Sequence, residues 1–322
     1  MSVELPRLGL GAAPLGNLYK EIDDDRAFAT LDAAWDAGIR YFDTAPHYGL
    51  GLSEQRLGRF LRDKPRDEYV VSTKVGRLLE PNPAHAGGRD LDNGFDVPDS
   101  LVRRFDPTLT GVRRSLEDSL ERLGLDRVDI LFLHDPDVYD LDWGLSEGLP
   151  ALATLRGEGL VDAIGVGVND SAAATRAVVE GDLDVVMIAG RYTLLEQTAA
   201  ADLLPACAER GVRIVDAAVF NSGLLATSDP GAGARYNYGD VPDDILERAR
   251  ALARVCTEFG VELPTAALQF PLRNPLVATV VMGTANPASV AENVARMSLP
   301  IPDELWRALV DRELVSDPVL SS

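Results

Sequence analysis

The stretch YFDTAPHYGLG, residues 41–51, puts Asp43, His47 and Tyr48 where an apolar run gives way to glycines. Two later apolar runs also carry ionisable groups at their ends, Lys74 in VVSTKVG and His134 in LFLHDPD. A phenol is a poor acid or base at neutral pH, because its pKa lies near ~10. A neighbouring ammonium stabilises the phenolate and draws that value down towards neutrality. Lys74 is suited to this, being a compact point charge whose properties respond to burial. It also stands out by type, since 28 of the 31 basic residues are arginine and only Lys20, Lys64 and Lys74 are lysine. Asp43 is the natural partner for Lys74, and His134 can orient a substrate or tune Tyr48. Each residue alone has a plainer explanation: a loop aromatic, a strand-end lysine, a structural histidine. Together they make a proton-transfer set. A metal site built from Asp43, His47, His134 and Asp135 is disfavoured, because Lys74 among them would repel the cation. No G-x-S-x-G nucleophile motif is present.

Something must bring residues 43, 48, 74 and 134 together. Short β-branched runs occur at 39–44, 69–75, 128–134, 162–168, 184–190, 212–218 and 277–283, and the glycine-rich 7–16 supplies an eighth. Amphipathic segments such as 23–38, 108–124 and 171–182 lie between them, with acidic starts or trailing glycines. Strands apolar on both faces, alternating with helices, predict a parallel sheet covered by helices. Eight such units predict an α/β fold of the (β/α)₈ TIM-barrel type with long active-site loops, one domain spanning 1–322. A doubly wound sheet is the alternative, but GLGAAPLG does not place its glycines as G-x-G-x-x-G. In a barrel, the strand C-termini open onto the active face. Asp43, Lys74, His134 and Asn169 then share one end, with long connections at 76–107, 135–145 and 220–242.

Composition narrows the function classes. The chain has 322 residues, 46% of them apolar, and a formal charge of −20. Nucleic acid and anionic membranes are therefore not expected partners. The N-terminal residues lack a basic stretch followed by an apolar core, and Cys207 and Cys256 sit singly with no metal spacing. A cytoplasmic protein with two free thiols is the expectation, and its oligomeric state stays open.

The segments FDTAPHYG, STKVG and LFLHDPD resemble the aldo-keto reductase superfamily, over most of the chain. The resemblance implies a nicotinamide-dependent oxidoreductase on a barrel, with Asp43, Tyr48, Lys74 and His134 as its catalytic tetrad. It further implies that Tyr48 is the general acid–base while hydride passes between nicotinamide and substrate carbon. GAAPLGNLY, GVGVND, AGRYTLLEQ and VFNSGLL are similar to a narrower branch of bacterial aldose 1-dehydrogenases of the L-fucose type, with pyridoxal-oxidising enzymes nearby. That branch implies oxidation of an anomeric hydroxyl to a lactone. A general carbonyl reductase and a cofactor-binding regulatory subunit are the alternatives, the latter disfavoured by the complete tetrad.

The resemblance also implies a cofactor groove. Gly11 and Ala12 would open it, Asn169 would face the carboxamide, and Phe220 is a candidate for the nicotinamide ring. Asn221, Ser222, Gly223 and Leu224 would follow in the same loop. Gly283, Thr284 and Ser289 would meet the adenosine end, with Glu292 and Asn293 at the adenine. The common GVSN is GVGVN here, and Ala189 stands where a glutamine is frequent. No Lys or Arg lies in VVMGTANPASVAEN, which predicts NAD over NADP, since a 2′-phosphate would find no charge-assisted donor there. His47, Arg77, Asp135, Tyr139 and Trp143 are the expected substrate wall, polar enough for a sugar.

Overall fold

Every one of the eight apolar runs forms a parallel strand: β1 (Leu8–Gly11), β2 (Tyr41–Asp43), β3 (Val70–Val75), β4 (Ile130–His134), β5 (Ala163–Val168), β6 (Val185–Ala189), β7 (Arg213–Ala217) and β8 (Val277–Gly283). They close into a barrel in which β1 pairs with both β2 and β8. The computed structural model describes residues 3–231, 233–237 and 239–315. Both faces of the strands are buried, as their unbroken apolar character requires. Tyr41, Phe132, Ala163, Met187, Val215 and Val281 fill the inside. Phe42, Val71, Leu131, Leu133 and Ile164 pack outward against helices.

Ten helices cover the outside among the described residues: α1 (Asp24–Asp36), α2 (Leu52–Leu61), α3 (Leu109–Leu123), α4 (Leu141–Gly157), α5 (Ser171–Glu180), α6 (Leu203–Arg210), α7 (Asp243–Glu258), α8 (Leu263–Gln269), α9 (Pro287–Arg296) and α10 (Asp303–Asp311). Their starts are set locally. Asp23 accepts from Arg26 N at 2.8 Å, Asp140 from Trp143 N at 3.0 Å and Asp170 from Ala173 N at 2.8 Å. Gly124 ends α3 with φ at +63°, the left-handed conformation that suits glycine. No helix of the described residues is long and apolar enough to cross a membrane. Cys207 and Cys256 are buried free thiols, each pushed up to about 12 by burial.

The long connections have structure of their own. Within 76–107, Arg77–Pro81 pairs antiparallel with Leu101–Phe105. Asp90 and Arg103 form a buried ion pair at 2.5 Å, and Arg103 Nη2 donates to the His47 carbonyl at 2.8 Å. The hairpin is thereby pinned to the β2 loop. Within 220–242, Arg235–Tyr236 pairs with Gly239–Asp240, and the Arg235 guanidinium lies 4.3 Å from the Tyr19 ring centroid. Behind the site, buried Arg56 donates to the carbonyls of Leu15 and Ile22, to Asn17 Oδ1 and to Asp24. Four acceptors on one guanidinium fix the turn after β1.

Asp216 is an oddity of β7. Val215 points into the barrel, so Asp216 lies on the opposite, helix-facing side. It is fully buried, and neither carboxyl oxygen has a hydrogen-bond partner among the described residues. Burial holds its pKa well above the usual carboxylate range. Above the ordinary value the unfolded chain releases a proton that the fold retains, so stability falls as pH rises through that window. Asp216→Val should therefore stabilise the protein at pH 7 by about 1–3 kcal/mol, with a smaller gain near pH 4. Urea titrations at the two pH values test this, and a less stable variant at pH 7 would mean the carboxyl is satisfied.

Candidate active site

The barrel end formed by the strand C-termini gathers the four residues expected to handle the proton. Lys74 Nζ, from β3, donates to Asp43 Oδ2 on β2 at 2.7 Å and to the Thr44 carbonyl at 3.0 Å. Asp43 Oδ1 accepts from Ser72 Oγ at 2.7 Å, and Ser72 lies 2.9 Å from the Tyr41 hydroxyl. The ion pair is buried, with side-chain exposures of 2% and 4%. A chain of hydrogen bonds inside the barrel thus fixes its geometry. Lys74 Nζ sits 4.7 Å from the Tyr48 ring centroid. The His134 ring, at the end of β4, stands edge-on to Tyr48 with centroids 5.8 Å apart.

Local sequence explains how Tyr48 reaches this point. Gly49 and Gly51 have φ of +64° and +89°. A Cβ on Gly49 would lie 2.3 Å from the Gly16 carbonyl oxygen, so the β1 and β2 loops can touch only without it. Ser53, opening α2, donates to the Ala12 carbonyl at 2.8 Å. Glu54, fully buried, accepts from Thr73 Oγ1 at 2.7 Å and from Arg122 Nε at 2.6 Å, which braces β3 next to Lys74.

The electrostatics differ from the sequence expectation in one respect. Lys74 was expected to depress the Tyr48 pKa. In the structure burial raises it well above the ordinary phenol value, reinforced by Asp43 and Asp135 and opposed by Arg77. Asp43, at hydrogen-bond distance from Lys74, offsets part of the ammonium's field in the resting enzyme, and burial of the phenol outweighs what is left. His134 is held well below its ordinary value by burial and by the Arg77 and Lys74 charges, which makes it a neutral imidazole.

The wall of the site comes from the hairpin and the loop after β4. Arg77 Nη2 donates to Asp135 Oδ2 at 2.6 Å, and both side chains are mostly buried. Arg77 also lies over the Tyr139 ring, which stacks on Phe105 at 4.6 Å, and Phe105 meets Trp143 edge-on. Tyr139 and Trp143 are exposed at the rim. His47 contacts both His134 and Phe95 ring to ring, and burial drives its pKa to about 2. Phe95, Arg103 and Phe105 were missing from the sequence-derived wall, since nothing local marks them.

The residues expected to line a cofactor groove fall along the same end of the barrel. Gly11 closes β1, and Ala12 N donates to the Asp43 carbonyl at 2.8 Å. Asn169 follows β5 half-exposed, with no hydrogen bond from its amide to the described residues. Asn221 and Ser222 hold left-handed φ of 45° and 59°, rare outside glycine, and Gly223 continues the run at 97°. Buried Asn221 is locked to Thr193 at 2.8 Å. Phe220 is half-buried at the start of this loop. Gly283 ends β8, Thr284 and Ser289 follow half-exposed, and Glu292 is exposed on α9. An uncommitted amide and a strained, anchored loop fit a bound dinucleotide. Two residues differ from expectation: Leu224 is fully buried in the outer apolar layer, and Asn293 is buried, accepting from Arg296 at 3.0 Å. Any contact by Leu224 would go through its backbone. The structure also brings a cation that the local segment lacks: Arg26 Nε donates to the Ala285 carbonyl at 2.7 Å, across 259 residues of sequence.

A closed parallel barrel with a buried lysine–carboxylate pair under a tyrosine and a neutral histidine defines a class of barrel oxidoreductases that move a proton at a carbon–oxygen bond. The sequence profile of the Aldo/keto reductase family matches residues 7–312. The chain belongs to that family, and a nicotinamide cofactor goes with it. It is 56% identical over 315 residues to a D-threo-aldose 1-dehydrogenase from a Pseudomonas species, covering 98% of this chain and 96% of that one. It is 40% identical to a pyridoxal 4-dehydrogenase from Microbacterium luteolum, covering 96% and 94%. A glycerol dehydrogenase structure from Gluconobacter oxydans superposes with a TM-score of 0.76 over 99% of this chain and 95% of that one, at 23% identity, which shows the shared fold.

Proposed function

We propose that the protein is an NAD-dependent aldose 1-dehydrogenase that oxidises the anomeric hydroxyl of an L-fucose-type sugar to the lactone. The observation that carries this reading is the set of Tyr48 and His134 above the buried Lys74–Asp43 pair, beside a wall whose Arg77–Asp135 pair suits a hydroxylated substrate. The 56% identity to a D-threo-aldose 1-dehydrogenase supports the choice of substrate class.

In this reading Tyr48 accepts the proton of the anomeric hydroxyl. His134, neutral, donates a hydrogen bond to the same oxygen and holds it facing Tyr48. Lys74, fixed by Asp43 and the Thr44 carbonyl, offsets the negative charge that develops on the phenolate. A bound nicotinamide supplies the hydride acceptor. Asn169, the 220–223 loop and the turn after Gly283 would hold it, while His47, Phe105, Tyr139 and Trp143 would shape the substrate side.

NAD is the proposed cofactor. The segment from Gly283 to Asn293 carries no Lys or Arg, and the chain bears a formal charge of −20. Arg26 is exposed, and Arg296 is engaged by Asn293, Glu292 and Glu262, so NADP is accepted less well rather than rejected. The test is a panel of L-fucose, D-arabinose, L-galactose, D-galactose and pyridoxal with each coenzyme, followed by reduced-nicotinamide absorbance. L-fucose or D-arabinose should give the highest kcat/KM, with NAD favoured by about tenfold, or ~1.4 kcal/mol. Preference for pyridoxal would move the assignment to the reaction named for the 40% identical relative. A lower KM for NADP would overturn the cofactor choice.

A further inference from the structure

We infer that Asp135 is a specificity residue that accepts a hydrogen bond from the hydroxyl on the carbon next to the one oxidised. The inference rests on the aldose reading above and adds a subsite to it.

Four observations point the same way. First, the Asp135 backbone lies in the left-handed region, with φ at +39°, which few residues other than glycine adopt although aspartate tolerates it better than most. Its backbone N–H is tied to the Gly167 carbonyl at 2.9 Å, which keeps it there. Strain of this kind persists where the surroundings over-determine it, and it gathers at functional sites. Second, the carboxylate cannot swing away. Arg77 takes Oδ2 at 2.6 Å, and Arg77 is itself buried against the Tyr139 ring. Third, Oδ1 accepts no hydrogen bond from the described residues, so half of a mostly buried carboxylate has its acceptor capacity unspent. Fourth, Oδ2 lies 3.5 Å from His134 Nε2. His134 Nδ1 is buried without a partner among the described residues, so the imidazole proton belongs on Nε2, facing the carboxylate and the pocket. The reacting hydroxyl held by that nitrogen places the substituent of the adjacent carbon within one group's reach of Asp135.

A fixed acceptor of this kind recognises a donor and repels an anion. It therefore selects polyhydroxy substrates over their deoxy analogues and over sugar acids. A site built around such a contact discriminates strongly, because the analogue leaves Oδ1 desolvated and without a donor. The contact also requires the ionised form. Burial and the neighbouring Asp137 raise the Asp135 pKa to about 6, while Arg77 on the hairpin and Lys74 on β3 oppose them. His134 beside it stays neutral. Discrimination should accordingly weaken as pH falls through 6.

The test compares L-fucose with 2-deoxy-L-fucose under saturating NAD, for the wild type and for Asp135→Asn. The wild type should lose at least ~100-fold in kcat/KM on the deoxy sugar. In Asp135→Asn the amide oxygen stays with Arg77 and the NH2 group stands where Oδ1 accepted, so the ratio of the two sugars should drop to within ~5-fold; the effect of the lost charge on Tyr48 and His134 acts on both sugars and cancels in the ratio. A purely structural role for Asp135 would lower both sugars equally, and that outcome overturns the assignment. Equal wild-type rates on the two sugars also overturn it while leaving the aldose function standing. Turnover of no aldose at all removes both. Should the variant fail to fold, as a thermal melt would reveal, the wild-type ratio at pH 5 against pH 8 decides: a ratio unchanged with pH overturns the assignment.

Discussion

Tyr48→Phe is expected to lower turnover of the aldose at least ~10³-fold, with cofactor affinity unchanged within about twofold. The substitution removes one oxygen and keeps the ring, so the contacts with Lys74, His134 and Phe95 remain. What disappears is the group proposed to take the hydroxyl proton, and a positioned acid–base contributes on the order of 10²–10⁴ in rate. The upper part of that range applies because the site is buried and water replaces the lost base poorly. The wild-type pH profile gives a second, independent check. Burial, Asp43 and Asp135 hold the free-enzyme phenol protonated well above its ordinary value. Oxidation needs the phenolate, so kcat/KM for oxidation should climb steadily through the alkaline range. Reduction uses the phenol and should stay flat over the same range. Full activity in Tyr48→Phe, or an oxidation profile that levels off below pH 8, would remove Tyr48 from this role.

Lys74→Met should be damaging twice over. The ammonium is replaced by an apolar group of similar length, and Asp43, whose side chain is only 4% exposed, loses its ion-pair partner and keeps, among the described residues, Ser72 as its side-chain hydrogen-bond donor. Removing one partner of a buried ion pair costs about 3–5 kcal/mol, so the urea midpoint should fall steeply. Turnover should drop ~10²–10³-fold as well, since nothing then offsets the phenolate charge. Pairing it with Asp43→Asn separates the two effects. The double variant has no stranded carboxylate and should regain most of the stability while remaining inactive. Lys74→Arg should not rescue turnover, because a planar guanidinium cannot occupy the space of a point charge between Asp43 and the Thr44 carbonyl. A double variant that recovers activity along with stability would assign the pair a purely structural role.

Much of this protein is legible in its sequence because the relevant physics is local. A strand buried on both faces needs an unbroken apolar run, and all eight runs became barrel strands within a residue or two of where their composition placed them, apart from the glycine-rich first run, of which Leu8–Gly11 is strand. Helix starts follow from single capping residues such as Asp23, Asp140 and Asp170. Once the barrel is granted, strand ends share one face, so Asp43, Lys74 and His134 converge without any further information. Tyr48 joins them through the glycine turn that follows.

What the chain alone did not disclose depends on partners far away in sequence or on the depth of burial. The 77–105 hairpin, the Asp90–Arg103 pair that anchors it to His47 and the arrival of Arg26 at Ala285 are contacts between segments with no local signature. The lonely Asp216 looks like any other strand acid until its surroundings are seen. The direction of the Tyr48 shift reversed for the same reason. Sequence supplies a lysine near a phenol, but whether that lysine's charge reaches the phenol depends on Asp43 at 2.7 Å and on how completely water is excluded. Residue types and strand order determined which groups meet, whereas desolvation and pairing, which exist only in the folded chain, decided their protonation and which of them stay free to touch a substrate.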